Sequence, residues 1–108
     1  MATKIQPARG DVWLANIAGD KIRPVVVMSR TAVIAHLHSV IAAPVTSTIR
    51  GTPTEVLLGA DEGLLHESVA NFDNVQLLSK GTLLRKIGVL GPPKLIAACH
   101  SLKHATGC

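Results

Sequence analysis

Two apolar runs with polar and basic ends stand out in this sequence: RPVVVMSR at positions 23–30 and APVTSTIRG at positions 43–51. A run of valines is typical of a strand that is buried on both faces of a sheet. Antiparallel neighbours run in opposite directions, so the start of one strand meets the end of the other. If the two runs are antiparallel neighbours, Arg23 and Thr46 lie together at one end of the sheet.

Arginine and threonine at strand ends can build a site for a polyanion. The guanidinium presents a rigid fork of N–H donors that fits phosphate oxygens, and threonine adds a hydroxyl on a stiff side chain. The alternative is that Arg23 is a surface cation beside a turn and that the hydroxyls at 46–48 belong to an ordinary loop. The pattern alone favours this second interpretation.

The composition fits one basic globular domain. The chain has 108 residues, and 47% of them are hydrophobic, which is too many for a disordered chain. Lys and Arg number 11 against 7 Asp and Glu, and this surplus favours RNA or DNA as the partner. Trp13 and Phe72 are the only aromatic residues, which argues against a module that stacks several bases on aromatic side chains.

Short strands followed by one helix are predicted, and the fold class is therefore mainly β with short helices. Strands are expected at 11–17, 24–29, 39–45, 54–58, 68–72, 75–78 and 86–90. Trp13 is expected to be a buried anchor, and Pro24 is expected to begin its strand. Turns are expected at 18–21 and 59–67, a short helix between Ser29 and His36, and a helical turn at 79–84.

The last helix is predicted from Gly91-Pro92-Pro93 to about Ala105, because proline is favoured in a first helical turn. Its apolar stripe comprises Leu95, Ile96, Cys99 and Leu102. A helix after several strands is expected to cover an open edge or end of a compact β barrel. We expect a flexible lead at 1–8 and a single domain at 9–108.

Several kinds of chemistry lack a signal. No Gly-x-Ser-x-Gly elbow and no phosphate-binding glycine loop occur in the sequence. His100, His104 and Cys108 are spaced by four, but Gly107 interrupts the helix, so no metal and no cofactor are predicted. The N-terminus lacks an apolar signal segment, and the uncharged stretch 31–49 contains histidines and a proline, so we expect a cytoplasmic protein without membrane spans.

The order of these segments resembles the MazF/PemK family, the endoribonuclease toxins of bacterial type II toxin–antitoxin systems. RGDVW at 9–13 and RPVVVMS at 23–29 resemble the first two strands of that family, and the run at 43–51 with PTEVLL at 53–58 resembles its central segment. SVANFDNV at 68–75 and KIG at 86–88 resemble later strands. The resemblance covers residues 9 to about 105.

The resemblance implies an SH3-like (CcdB/PemK-type) β barrel with a C-terminal α-helix, a homodimer, and a cognate MazE-like antitoxin. It implies metal-independent, sequence-selective cleavage of single-stranded RNA, with mRNA, tRNA or rRNA as candidate substrates, to 2′,3′-cyclic phosphate and 5′-hydroxyl ends. Arg23 and Thr46 align with the catalytic residues of the family. Substrate-binding roles are implied for Ser29, Ser47, Thr48, Arg50, Asp73, Asn74 and Gln76.

Two departures from the family bear on which RNA is cut. The loop at 18–22 is shorter than in many members, and Asn74 and Gln76 stand where many members have Gln followed by Arg or Lys. Two other functions stay open: a gyrase-inhibiting toxin with the same fold, and a barrel that binds nucleic acid without cutting it. The former acts through an apolar C-terminal tail, which the polar residues 103–108 do not resemble.

Overall fold

Seven strands and two α-helices make up the computed structural model, which describes residues 6–17 and 21–108. The strands are β1 Asp11–Ile17, β2 Lys21–Val27, β3 Ser39–Thr46, β4 Glu55–Leu58, β5 Ser68–Asn71, β6 Gln76–Ser79 and β7 Leu83–Val89. The helices are α1 Thr31–Ile34 and α2 Pro92–Thr106, and short 3₁₀ turns lie at Ala60–Glu62, Phe72–Asn74 and Lys80–Thr82.

All the strand pairs are antiparallel, and the order across the sheet is β4-β5-β3-β2-β1-β7. The first half of β3 pairs with β6, from Ser39 opposite Ser79 to Ala42 opposite Gln76. The second half of β3 pairs with β5. Strand β3 is therefore the centre of the fold, because β2 lies on one side of it and both β5 and β6 lie on the other.

The valines of β2 separate two apolar cores, because successive strand residues point to opposite faces. Val25, Val26 and Val27 are all fully buried, which confirms the prediction of a strand covered on both faces. The core on one face includes Val26, Ala43, Val45, Leu58, Phe72 and Ala98. The core on the other face includes Trp13, Val25, Val27, Ile34, Ala42 and Leu83.

Helix α2 covers the first of these cores. Leu95, Cys99 and Leu102 pack against it as predicted, whereas Ile96 is 59% exposed and does not belong to the buried stripe. Gly107 ends the helix with a φ of 73°, a left-handed conformation that glycine adopts at little cost. The Ser101 hydroxyl donates to the carbonyl of Pro53 at 2.9 Å and ties the helix to the segment before β4.

The predicted fold class is confirmed, but the sheet is not a closed barrel. Within the described residues, β4 and β7 form its two outer strands, and no pair joins them. The turn Ala60–Glu62 packs against β7 instead, so closely that a Cβ on Gly88 would overlap the carbonyl oxygen of Glu62. A packed loop therefore occupies the place where strand pairing would close the barrel.

The element boundaries shift by a few residues from the prediction. Strand β2 begins at Lys21, so Pro24 lies inside it and not at its start. Pairing with β1, from Val12 opposite Val26 to Ile17 opposite Lys21, extends the strand beyond the proline. Strand β7 likewise begins at Leu83, because its pairing with β1 reaches Ala15.

Two predictions concern residues that lie wholly or partly outside the described chain. The turn at 18–21 and the flexible lead at 1–8 include residues 18–20 and 1–5, which the structure does not describe. Within the lead, Pro7 is buried, and the amide of Ala8 donates to the Asp11 carboxylate at 2.8 Å. In the described chain, no helix has the length and apolar character needed to cross a membrane.

Gly88→Ala should destabilise the protein, because its methyl group would collide with the backbone at Glu62. Overpacking of this kind costs about 1–3 kcal/mol, and chemical denaturation measures the loss in the free energy of unfolding. Gly59→Ala is the matched control, since its backbone φ of −164° is extended and no atom lies within 4 Å of the added Cβ. Equal stability of the two variants would contradict the close packing of turn and strand.

Candidate active site

The register between β2 and β3 brings Arg23 and Thr46 together. The ladder pairs Val25 with Pro44 and Val26 with Ala43, and the same register continued by two residues sets Arg23 opposite Thr46. Directly opposed residues in an antiparallel pair project from the same face. The juxtaposition that the sequence suggested therefore occurs, at the end of the sheet where β2 begins and β3 ends.

Arg23 and Thr46 line a cleft of about 230 Å³. Its other lining residues are Pro44, Thr48, Arg50, Asn71 and Asn74. This set offers two guanidinium groups, two hydroxyls and two carboxamides, and it contains no acidic residue. The cleft is therefore suited to an anion that accepts hydrogen bonds.

The two arginines are free to meet a ligand. Arg23 and Arg50 are exposed, and neither guanidinium forms an ion pair or hydrogen bond with any residue in 6–17 or 21–108. An arginine in a folded protein stays protonated, so both groups supply permanent positive charge. Two unpaired cations on one cleft favour binding of a polyanion and disfavour binding of a metal cation.

The Thr46 hydroxyl is oriented by its own loop. Its Oγ1 accepts the backbone N–H of Thr48 at 3.2 Å, which fills one acceptor position on the oxygen. The hydroxyl hydrogen makes no hydrogen bond within the described chain, so it is available to a ligand oxygen. Thr46 can thus donate into the cleft beside the Arg23 fork.

Asn71 is the polar lining residue that the sequence analysis missed. It ends β5, and its Oδ1 accepts the backbone N–H of Asp73 at 2.9 Å. Because that bond fixes the carboxamide, the Nδ2 donor group is left for the cleft. The position of Asn71 depends on the β3–β5 pairing, a long-range contact that no local sequence signal reveals.

Five of the nine predicted site residues line the cleft, namely Arg23, Thr46, Thr48, Arg50 and Asn74. Gln76 is exposed on β6 opposite Ala42 and lies outside this lining. Asp73 is adjacent to the cleft, but its Oδ2 accepts the Thr54 hydroxyl at 2.6 Å. That bond holds the Phe72–Asn74 turn against Thr54, the residue just before β4.

The two predicted serines lie elsewhere. Ser29 is only 6% exposed and lies two residues past the end of β2, and its Oγ accepts the backbone N–H of Ile41 at 2.8 Å. Ser47 lines a different, largely apolar pocket of about 410 Å³ with Leu14, Pro24 and Val45. Alternation along the strand explains this separation, because Ser47 points away from the face that carries Thr46.

Metal ligation finds no support in the described residues. His100, His104 and Cys108 border a shallow depression at the end of α2. Within residues 6–17 and 21–108, however, no three His, Cys, Asp or Glu side chains are arranged to hold a metal ion. The lining of the cleft also contains none of these residue types.

The fold and cleft together define a small basic β protein with a cleft of cationic, hydroxyl and carboxamide side chains at a strand junction. The family described as PemK-like, MazF-like toxin of type II toxin–antitoxin system matches residues 8–105 of the chain. The chain therefore belongs to the PemK/MazF toxin family, as its sequence indicated.

Individual relatives agree with this assignment. "Probable endoribonuclease MazF5" of Mycobacterium tuberculosis is 40% identical over 104 residues, which are 94% of each chain. The structure of Mycobacterium tuberculosis toxin MazF-mt6 is 36% identical with a TM-score of 0.84, over 90% of this chain and 96% of that one. A mycobacterial endoribonuclease in complex with its cognate antitoxin is 29% identical with a TM-score of 0.85, over 94% and 95% of the two chains.

Ser29→Ala should lower the free energy of unfolding, because it removes the acceptor of the Ile41 amide. The expected loss is about 1–2 kcal/mol, typical of a partly buried donor left without its partner. Ser47→Ala is the control, since Ser47 is exposed and its hydroxyl makes no hydrogen bond with any described residue. Urea denaturation of both variants measures the difference, and equal stability would contradict a structural role for Ser29.

Proposed function

We propose that this protein is a toxin endoribonuclease whose active site is the cleft of Arg23 and Thr46. The observation that carries the proposal is that one cleft holds an oriented hydroxyl and two guanidiniums that have no partner among the described residues. Membership of the PemK/MazF family supports the same activity, since the relatives at 40% and 37% identity are named endoribonucleases.

The proposed reaction is an internal transfer of the RNA phosphate. The ribose 2′-oxygen attacks the adjacent phosphorus, and the bond from phosphorus to the 5′-oxygen breaks. The proton of the 2′-hydroxyl passes to solvent water, and the leaving 5′-oxygen gains a proton. The products are a 2′,3′-cyclic phosphate and a 5′-hydroxyl. Single-stranded RNA is the proposed substrate, because the phosphate must rotate freely to bring the attacking and leaving oxygens in line.

Arg23 is proposed to stabilise the charge that builds on the phosphorane. The hydrogen bonds from a guanidinium to the non-bridging oxygens become stronger as negative charge builds on those oxygens. The interaction therefore lowers the reaction barrier more than it tightens substrate binding. Thr46 holds a phosphate oxygen through its free hydroxyl hydrogen. The lining residues include no carboxylate or imidazole. Arg23 is therefore also proposed to donate a proton to the leaving oxygen and to regain one from water, so that it is protonated again after the reaction.

The remaining lining residues are proposed to bind the RNA around the reacting phosphate. Arg50 and Thr48 contact the backbone, while Asn71 and Asn74 present carboxamides that can read base edges. Gln76 and Asp73 are proposed to act at the border of the site. Sequence preference would arise mainly from Asn71 and Asn74, since carboxamides carry both a donor and an acceptor.

Arg23→Ala and Thr46→Ala should each abolish cleavage, because they remove the phosphorane cation and the phosphate-holding hydroxyl. The assay incubates purified protein with RNA in EDTA and maps the new 5′ ends, which should carry hydroxyls at a short preferred sequence. Arg85→Ala is the control, since Arg85 lines the apolar pocket and not the cleft. Full activity of folded Arg23→Ala would contradict the proposed site, and loss of wild-type cleavage in EDTA would contradict the metal-independent reaction.

A homodimer and an antitoxin complete the proposal. Ile41 and Leu77 face each other in the β3–β6 ladder and are 43% and 69% exposed, which supports burial against a second copy.

The antitoxin is proposed to present acidic residues to Arg23 and Arg50 and so to block the cleft. Because the substrate is cellular RNA, we place the toxin in the cytoplasm.

Light scattering should give a mass of twice the 11.3 kDa chain. Leu77→Glu should shift the protein toward monomers, because it puts a charge into the proposed apolar contact. Leu65→Glu is the control, since Leu65 is 95% exposed and lies on the loop before β5. A dimer that tolerates Leu77→Glu would place the contact elsewhere, and a monomeric wild type would contradict the dimer itself.

A further inference from the structure

The loop between β3 and β4 carries two residues of the cleft, Thr48 and Arg50. Gly51 follows them with a φ of 75°, and this left-handed turn redirects the chain toward β4. The bond from the Thr48 amide to Thr46 Oγ1 holds the start of the loop. The position of Arg50 therefore depends on what holds the other end.

Glu55, the first residue of β4, holds that end through its side chain. Its Oε1 accepts the backbone N–H groups of Gly51 at 2.8 Å and Arg50 at 3.0 Å, with that of Thr52 at 3.4 Å. Hydrogen bonds to a carboxylate are stronger than those between neutral groups. One charged oxygen thus accepts hydrogen bonds from three successive backbone amides in the second half of the loop.

The register of β4 and β5 places this anchor beside the cleft. Glu55 is paired with Asn71, which lines the cleft from the neighbouring strand. A second, hydroxyl-based connection runs from Thr52 to Thr54 at 3.0 Å and from Thr54 to Asp73 at 2.6 Å. The Arg50 side of the cleft is thereby connected to the Asn71 and Asn74 side.

We propose that Glu55 is a positioning residue for RNA binding. It contacts no RNA itself, but it fixes the backbone that directs Arg50 at the phosphates, an inference that rests on the proposed function. Simple electrostatics predicts the opposite effect, because a carboxylate beside a polyanion site repels the ligand. Removal of Glu55 would then tighten RNA binding, whereas loss of a loop anchor weakens it.

The test measures binding of a 2′-deoxy-substituted oligonucleotide, which cannot be cleaved, and cleavage of the matching RNA. Glu55→Ala should raise Kd and KM by about tenfold while kcat stays within about threefold, since Arg23 and Thr46 remain in place. The slope of log Kd against log salt concentration should decrease by about the amount that one phosphate contact contributes, as it should in Arg50→Ala. The double variant should be no weaker than Arg50→Ala, because both changes remove the same contact.

Two variants and one structural measurement keep the test specific. Glu55→Gln retains an acceptor oxygen without the charge, so it should recover part of the RNA affinity that Glu55→Ala loses. It should also fold if the alanine variant fails to fold. Glu67→Gln removes the same charge from an exposed carboxylate without a described partner and should leave binding unchanged. Hydrogen exchange at the amides of Arg50, Gly51 and Thr52 should accelerate in Glu55→Ala.

Unchanged or tighter RNA binding by Glu55→Ala would overturn the proposal, as would additive effects of Glu55→Ala and Arg50→Ala. Unaltered exchange at the three amides would also overturn it. Failure of the proposed function can be distinguished from failure of the Glu55 proposal. It would appear as full cleavage by Arg23→Ala or as no RNA binding by the wild type. The hydrogen-exchange result tests the loop anchor in either case.

Discussion

The antiparallel ladder between β2 and β3 is the constraint on which both the core and the cleft depend. It sets Val25 opposite Pro44 and, by continuation, Arg23 opposite Thr46. A slip of one residue would send every side chain of β3 to the other face, exposing Val45 and burying Thr46. The burial of the valines therefore maintains the geometry of the site, because a one-residue slip would disrupt both cores at once.

Charge is distributed around the cleft so that the cations stay available. Arg23 and Arg50 point into it without acidic partners among the described residues, although Glu55 and Asp73 are close by in the structure. Those two carboxylates are occupied by backbone amides and by the Thr54 hydroxyl. The acidic groups nearest to the site thus serve its architecture, and the positive charge is left for a polyanion such as RNA.

Hydroxyl residues of similar appearance in the sequence have different roles in the structure. Thr46 faces the cleft, its neighbour Ser47 faces an apolar pocket on the opposite side, and Ser29 is buried as an acceptor for a strand amide. Their roles differ because a strand alternates its faces and because Ser29 lies at the other end of β2. A resemblance to a family motif could not separate them, since it places residues along the chain and not across the sheet.

The sequence by itself determined the fold class, the succession of strands along the chain and the C-terminal helix, because these follow from local patterns: valine runs, turn residues and a proline-led amphipathic segment. It also indicated the Arg23 and Thr46 pair and the family. Only the tertiary structure decided that the sheet stays open between β4 and β7, that Asn71 joins the cleft, and that Glu55 anchors the Arg50 loop. The physical reason is that each of these depends on contacts between residues distant in sequence, or on which oxygen a backbone amide reaches, and neither leaves a local periodic signal.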